Sequence, residues 1–243
     1  MKKVSKEKTI TGKMRNLQKE EIAESQIERR FPDSDLKQDE KEFESFFSEV
    51  LKKIPQRTST IILNAYDKSK ERAEKIMAKS KKKFDTIFDE FLEGVDEETR
   101  KKCHKIVHAA SLTAAIIGFS PIPFSDAFLL VPVQLTMMAR LHKIFGKSWS
   151  ESLGKSLSKE LVVVGLGRSA VGNIVKLIPG AGTVAGAAIN ATVASTITES
   201  LGWITVKMLN DGEDIFEQVT SVKGQLRTLS KKLQNSSKSS NKK

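Results

Sequence analysis

Hydrophobic and polar positions change rhythm several times along this chain. Residues 1–40 show no sustained period: charged and polar side chains dominate, and the turn-forming run RRFPDSD at 29–35 closes the stretch. That pattern predicts a disordered charged arm over 1–40, with a short helix around Gln18–Arg30 as its one candidate element. From Glu40 the spacing becomes helical. Phe43, Phe46, Phe47, Val50, Leu51 and Ile54 recur at three and four residues, and past Pro55 the pattern resumes through Ile62, Ala65, Ala73, Ile76, Phe84, Ile87, Phe88 and Phe91. Such spacing lines the apolar groups along one face, so amphipathic helices are expected over 41–95. The run EGVDEET at 93–99 supplies a glycine stop and then an acid-rich helix start at Asp96.

Beyond residue 96 the apolar stretches lengthen and lose their polar face. One helix is expected from about Glu97 to Phe119 and a second from Asp126 to Phe145, with Gly146 as its C-terminal stop. Pro121 and Pro123 end the first; Ser125 or Asp126 offers a side-chain oxygen to cap the second. Further helices are expected at Trp149–Leu166, Ser169–Leu177 and Thr183–Asn210, which closes an apolar domain over 96–210. An amphipathic helix over 211–235 and a disordered basic tail, SSKSSNKK at 236–243, complete the chain. No alternating strand pattern occurs anywhere. The expected fold class is all-α: a helical bundle with two apolar helical hairpins, preceded by amphipathic helices.

Charge follows the same division. Residues 1–105 carry 26 basic and 22 acidic side chains, whereas residues 106–209 carry 8 and 4. The net charge of +11 is spread over the whole chain and suits a phosphate-rich partner, either nucleic acid or an anionic membrane surface. Single-strand nucleic-acid binding uses aromatic rings interleaved with the cations. With one Tyr and two Trp, and most Phe on apolar helix faces, the chain argues against nucleic acid and leaves the anionic membrane surface as the expected partner. The single cysteine, Cys103, excludes an intrachain disulfide and fits a reducing compartment. The basic N-terminus has no apolar run behind it, so no signal peptide is expected and the cytoplasmic side is the expected location.

A spanning helix needs about 20 predominantly apolar residues. Residues 106–125 are broken by the two prolines and 126–139 is too short, but Leu177–Thr198 carries no charge. In that last segment Gly182, Gly186, Asn190, Ala194, Thr198 and Gly202 recur every fourth residue, a line of small side chains along which another helix can approach closely. Two readings stand at this point. The apolar half inserts, with the paired prolines turning a re-entrant hairpin and Asp126 and Gln134 facing the bundle interior, or it is the buried core of a soluble bundle.

Motifs for chemistry fail on inspection. ELVVVGLGRSAVG at 160–172 imitates a dinucleotide-binding start, but its third glycine is misplaced and no acid follows at the ribose position. GAGTVAG at 180–186 lacks a strand before it, and no GxxxxGK[ST] string is present, so no cofactor is expected. His104 and His108 stand at metal-ligand spacing, but HKIVH lacks the catalytic glutamate of an HExxH site, and a structural pair is expected. Asp126, Gln134 and Arg140 offer a buried polar network without a second titratable partner for catalysis. No enzyme activity is expected.

The run AAIIGFSPIPFSDAFLLVPVQLTMMARLHKIFG at 114–146, GR at 167–168 and KLIPGAGTVAGAAINATVASTITESLGW at 176–203 together resemble the DUF697 family, the domain also found in YcjF-like membrane proteins, over about residues 98–210. The resemblance implies a helical, membrane-associated domain that often follows a GTPase domain of the Era or interferon-inducible type. Here a charged helical arm stands in that position, so the resemblance implies a GTPase partner in trans. It also marks Pro121, Pro123, Asp126, Gln134, Arg140, Gly146, Arg168, Pro179, Gly180, Gly182, Gly186, Asn190 and Gly202 as structural motif positions, with no catalytic, cofactor or metal role. The expected function is that of a non-enzymatic helical protein at the cytoplasmic face of a bacterial membrane; the alternative is a soluble helical adaptor.

Overall fold

A computed structural model describes residues 38–120, 129–149 and 186–213, which form six helices and, among the described residues, no strand. Helix α1 runs Gln38–Lys52, with Asp39 and Glu40 in its first turn and Lys52 in its last, charges placed to complement the helix dipole. Fifteen residues are marginal as an isolated helix in water. Burial holds it instead: Phe43, Phe46, Phe47, Val50 and Leu51 are each no more than 3% exposed, and each such side chain contributes about 1.5–3 kcal/mol when taken out of water.

Pro55 stands immediately before helix α2, Gln56–Asn64, where its carbonyl accepts from the amides of Thr58 and Ser59. A break follows at Ala65 (φ −98°, ψ 0°), and α3 begins at once over Tyr66–Phe91. The apolar spacing of 62–91 does not register this break, because Ile62 and Tyr66 remain one turn apart on the same buried side.

Helix α4, Glu97–Phe119, has the bounds its sequence predicts. Asp96 is the N-cap, its carboxylate accepting from the Thr99 amide at 2.9 Å, and Ser120 closes the far end. Cys103, Ile106, Val107 and every residue from Ala109 to Ile117 are buried. A helix buried nearly all round must sit at the centre, and α4 packs against α1, α3, α5 (Leu130–Ile144) and α6 (Gly186–Asn210). Helix α5 ends as predicted at Gly146, whose φ of +63° lets its amide reach the Lys143 carbonyl while the Lys147 amide reaches that of His142. Helix α6 is buried from Ala191 to Ser200, with Glu199 half-buried, and again over Leu201–Val206. One apolar core runs through all of these elements, from Phe43 to Leu209.

Residues 1–37 of the predicted arm, the helices within 150–185, the starts of the helices expected at Asp126 and Thr183, and everything from 214 onward lie outside the described residues; the arm's last three positions, 38–40, already belong to α1.

Candidate functional site

The polar chemistry of the bundle is concentrated at its helix seams. On α5, Arg140 reaches across to α1: Nη1 donates to Glu42 Oε1 at 2.6 Å, Nη2 to Glu49 Oε2 at 2.7 Å and to Ser45 Oγ at 3.2 Å, and Nε to Glu49 Oε2 at 3.1 Å. The guanidinium lies 5.2 Å from the Phe46 ring centroid, adding a cation–π contact. One helical turn away, Lys53 Nζ donates to both Glu49 at 2.7 Å and the buried Thr136 hydroxyl at 2.9 Å. Burial pushes the Glu49 carboxyl up, but hydrogen bonds from Lys53 and Arg140, reinforced by their charges, outweigh it and hold the group below its ordinary value of 4.5.

Helices α4 and α6 cross in close antiparallel contact. A Cβ added at Gly118 would stand 2.6 Å from the Ala191 Cα and 3.0 Å from the Asn190 carbonyl carbon. At the other end, one added at Gly202 would meet Val107 Cγ2 at 2.7 Å and Met137 Sδ at 2.9 Å. The small-residue line read from Asn190 to Gly202 therefore faces α4 within the bundle. Gly118, its partner on α4, was not singled out by sequence reasoning; the signal was a glycine closing the alanine-rich run AAIIGF.

Between those two contacts lies a polar layer. Ser111 is one heptad from Gly118 and one turn from Val107; Thr198 is one heptad from Ala191 and one turn from Gly202, so the two come level on the same seam. Gln134, one turn before Met137 on α5, is a further buried polar side chain. All three are fully buried, and among the described residues neither hydroxyl nor either amide atom of Gln134 has a hydrogen-bond partner.

The structure thus separates two residues that the sequence groups. Arg140 is engaged with α1, and Gln134 points into the core without it. Asp126, the third member of that group, lies outside the described residues, as do Pro121, Pro123, Arg168, Pro179, Gly180 and Gly182. Gly146 is the C-terminal stop of α5; Gly186 opens α6, with none of the described residues within 4 Å of an added Cβ; Asn190 and Gly202 take part in the α4 crossing.

The histidines stack with each other at 6.1 Å, and His104 also lies 5.8 Å from Trp203, which meets Phe88 of α3 at 5.3 Å. This aromatic chain ties α3, α4 and α6 together. Among the described residues no group of three His, Cys, Asp or Glu side chains could hold a metal ion. Burial, with a smaller contribution from the Asp96 charge, pushes the Cys103 thiol up to about 12.

These seams define an all-α bundle in which ion pairs, small-residue contacts and ring stacking hold helix to helix. The chain belongs to the family described as "Domain of unknown function (DUF697)", whose model matches residues 83–237. It is also 34% identical over 109 residues to magnetosome membrane protein 22 of Magnetospirillum gryphiswaldense, a match covering 43% of this chain and 56% of that protein. The chain thus spans little more than half of that relative. No solved structure matches. Helices α1 and α2 precede the family match, yet Glu42 and Glu49 of α1 bind Arg140 inside it. Among the described residues no helix is long and apolar enough to cross a membrane.

Proposed function

We propose that this chain is a non-enzymatic DUF697 protein that associates with the cytoplasmic face of a bacterial membrane as a folded bundle. The observation that carries the reading is the 34% identity to a protein named for its membrane location. The mode of attachment is peripheral. Among the described residues Ile61, at 40%, is the one exposed large hydrophobic, so the apolar side chains of the described helices lie in the core. Contact with anionic lipid then falls to the basic side chains, in keeping with the net charge of +11. The charged groups gathered at the seams, Arg140 with its two glutamates and Lys53 with Thr136, join helices, which supports a scaffold in place of a catalyst. A GTPase in trans is the candidate protein partner.

A second reading, a helical adaptor without membrane contact, draws on the same burial of apolar side chains. Fractionation of cells producing the full chain separates the two. Sedimentation with membranes at low salt and release by concentrated salt or carbonate supports peripheral attachment; a protein wholly in the low-salt supernatant supports the adaptor. A GTPase recovered by crosslinking at the membrane, and lost when its nucleotide is removed, would support the trans partner.

A further inference from the structure

The seam between α4 and α6 is pinned at two places and polar between them. Gly118 meets Ala191 at one end and Val107 meets Gly202 at the other, and the same antiparallel register sets Ala114 opposite Ser195 and Ser111 opposite Thr198. A hydroxyl buried on an apolar helix can satisfy itself by donating to a carbonyl of its own helix. On α4, Thr113 and Ser120 do so, to Ala109 at 2.8 Å and Ile116 at 3.0 Å. On α6, Thr192, Ser195 and Thr205 do so, to Ala188 at 2.7 Å, Thr192 at 3.1 Å and Leu201 at 2.8 Å. Ser111 and Thr198 do not. Both are 0% exposed, and among the described residues neither hydroxyl has a hydrogen-bond partner.

We propose that Ser111 and Thr198 form an internal hydration site, in which a single water molecule bridges the two hydroxyls and ties α4 to α6. A buried hydroxyl left unbonded is costly, so two of them level on one seam call for a group that bonds both. The seam restricts what that group is. It must be small, because an added Cβ at Gly118 or Gly202, on either side of the pair, already stands within 3 Å of a neighbour. It must be neutral, because α4 carries no Asp, Glu, Lys or Arg from Ile106 to Phe119 and α6 none before Glu199. It must donate and accept, because each hydroxyl can do either. Water meets all three conditions, and interior waters are held by two to four hydrogen bonds of this kind. The bridge serves the bundle whether or not it meets a membrane.

The test compares the full chain as wild type, Ser111→Ala, Thr198→Val, the double variant, and a control, Thr205→Val, whose hydroxyl bonds its own helix. These changes nearly preserve side-chain shape, and circular dichroism confirms equal helicity. Relaxation dispersion of the water oxygen nucleus counts the waters that stay inside the protein longer than it takes to tumble. Wild type and control should hold one more such water than the double variant. In urea, each single variant should unfold at a lower midpoint than wild type, because the hydroxyl left behind loses its bond, and the double variant should unfold no earlier than the weaker single. Non-additive midpoints with equal counts of long-lived water in wild type and double variant would mean that the hydroxyls bond each other directly, which overturns the proposal. Single variants that unfold at or above the wild-type midpoint would mean that nothing bridges the pair, and overturn it too. So would a control that loses the water as the double variant does, since the loss would then report a loosened α6 and not this site.

Discussion

Arg140 Nη2 donates to Glu49 Oε2 at 2.7 Å, joining α5 to α1 across 91 positions of sequence. Glu49 is 39% exposed and Arg140 21%, so solvent screens part of the attraction. Arg140→Met should lower stability by about 1 kcal/mol, read from the urea midpoint. The pH dependence has a definite sign. Glu49 titrates lower in the folded chain than its ordinary 4.5, so its contribution is complete above that pH and is lost as pH falls through the folded value. Wild type should therefore lose more stability than Arg140→Met on acidification below 4.5, and their unfolding curves should converge.

The two glycines of the α4–α6 crossing differ in what they meet. Ala at either position gains about 1 kcal/mol of helix propensity. At Gly118 the obstacle is Ala191 backbone, which cannot give way; at Gly202 it is the Val107 and Met137 side chains, of which the thioether can move. Gly118→Ala should be destabilising by about 1–3 kcal/mol, and Gly202→Ala by less. Thermal unfolding of both variants checks the order.

Gln134 is buried with its amide unpartnered among the described residues, which costs about 1–3 kcal/mol relative to an apolar group of the same shape. Gln134→Leu should consequently unfold at an unchanged or higher urea concentration than wild type. A clear loss of stability would mean the amide is bonded in the folded protein.

Cys103 is fully buried and its thiol is pushed up to about 12, so at pH 8 roughly one molecule in ten thousand carries the thiolate. Iodoacetamide should leave the native protein unmodified at that pH and alkylate it completely in denaturant, as intact-mass measurement would show.

Local signals were legible in the sequence and long-range ones were not. Asp96 with its following acids marks the start of α4, and Gly146 marks the end of α5, because capping is decided within a few residues. The five apolar positions from Phe43 to Leu51 mark the buried face of α1, because helical periodicity is likewise local. The break at Ala65 left no trace in the spacing, since one helix replaces another almost in phase. Arg140 was grouped with Gln134 because the two share a helix, yet its partners lie on α1, which no periodicity could indicate. The asparagine–glycine line on α6 suggested close approach without naming the approaching helix; Gly118 supplies it.

The central claim is that a folded bundle, without a spanning helix among its described residues, is held at a membrane by charge. Fractionating cells that produce the full chain, first in low salt and then in concentrated salt, tests this most directly. The account predicts recovery in the membrane pellet at low salt and release by concentrated salt; recovery in the supernatant at low salt would contradict it.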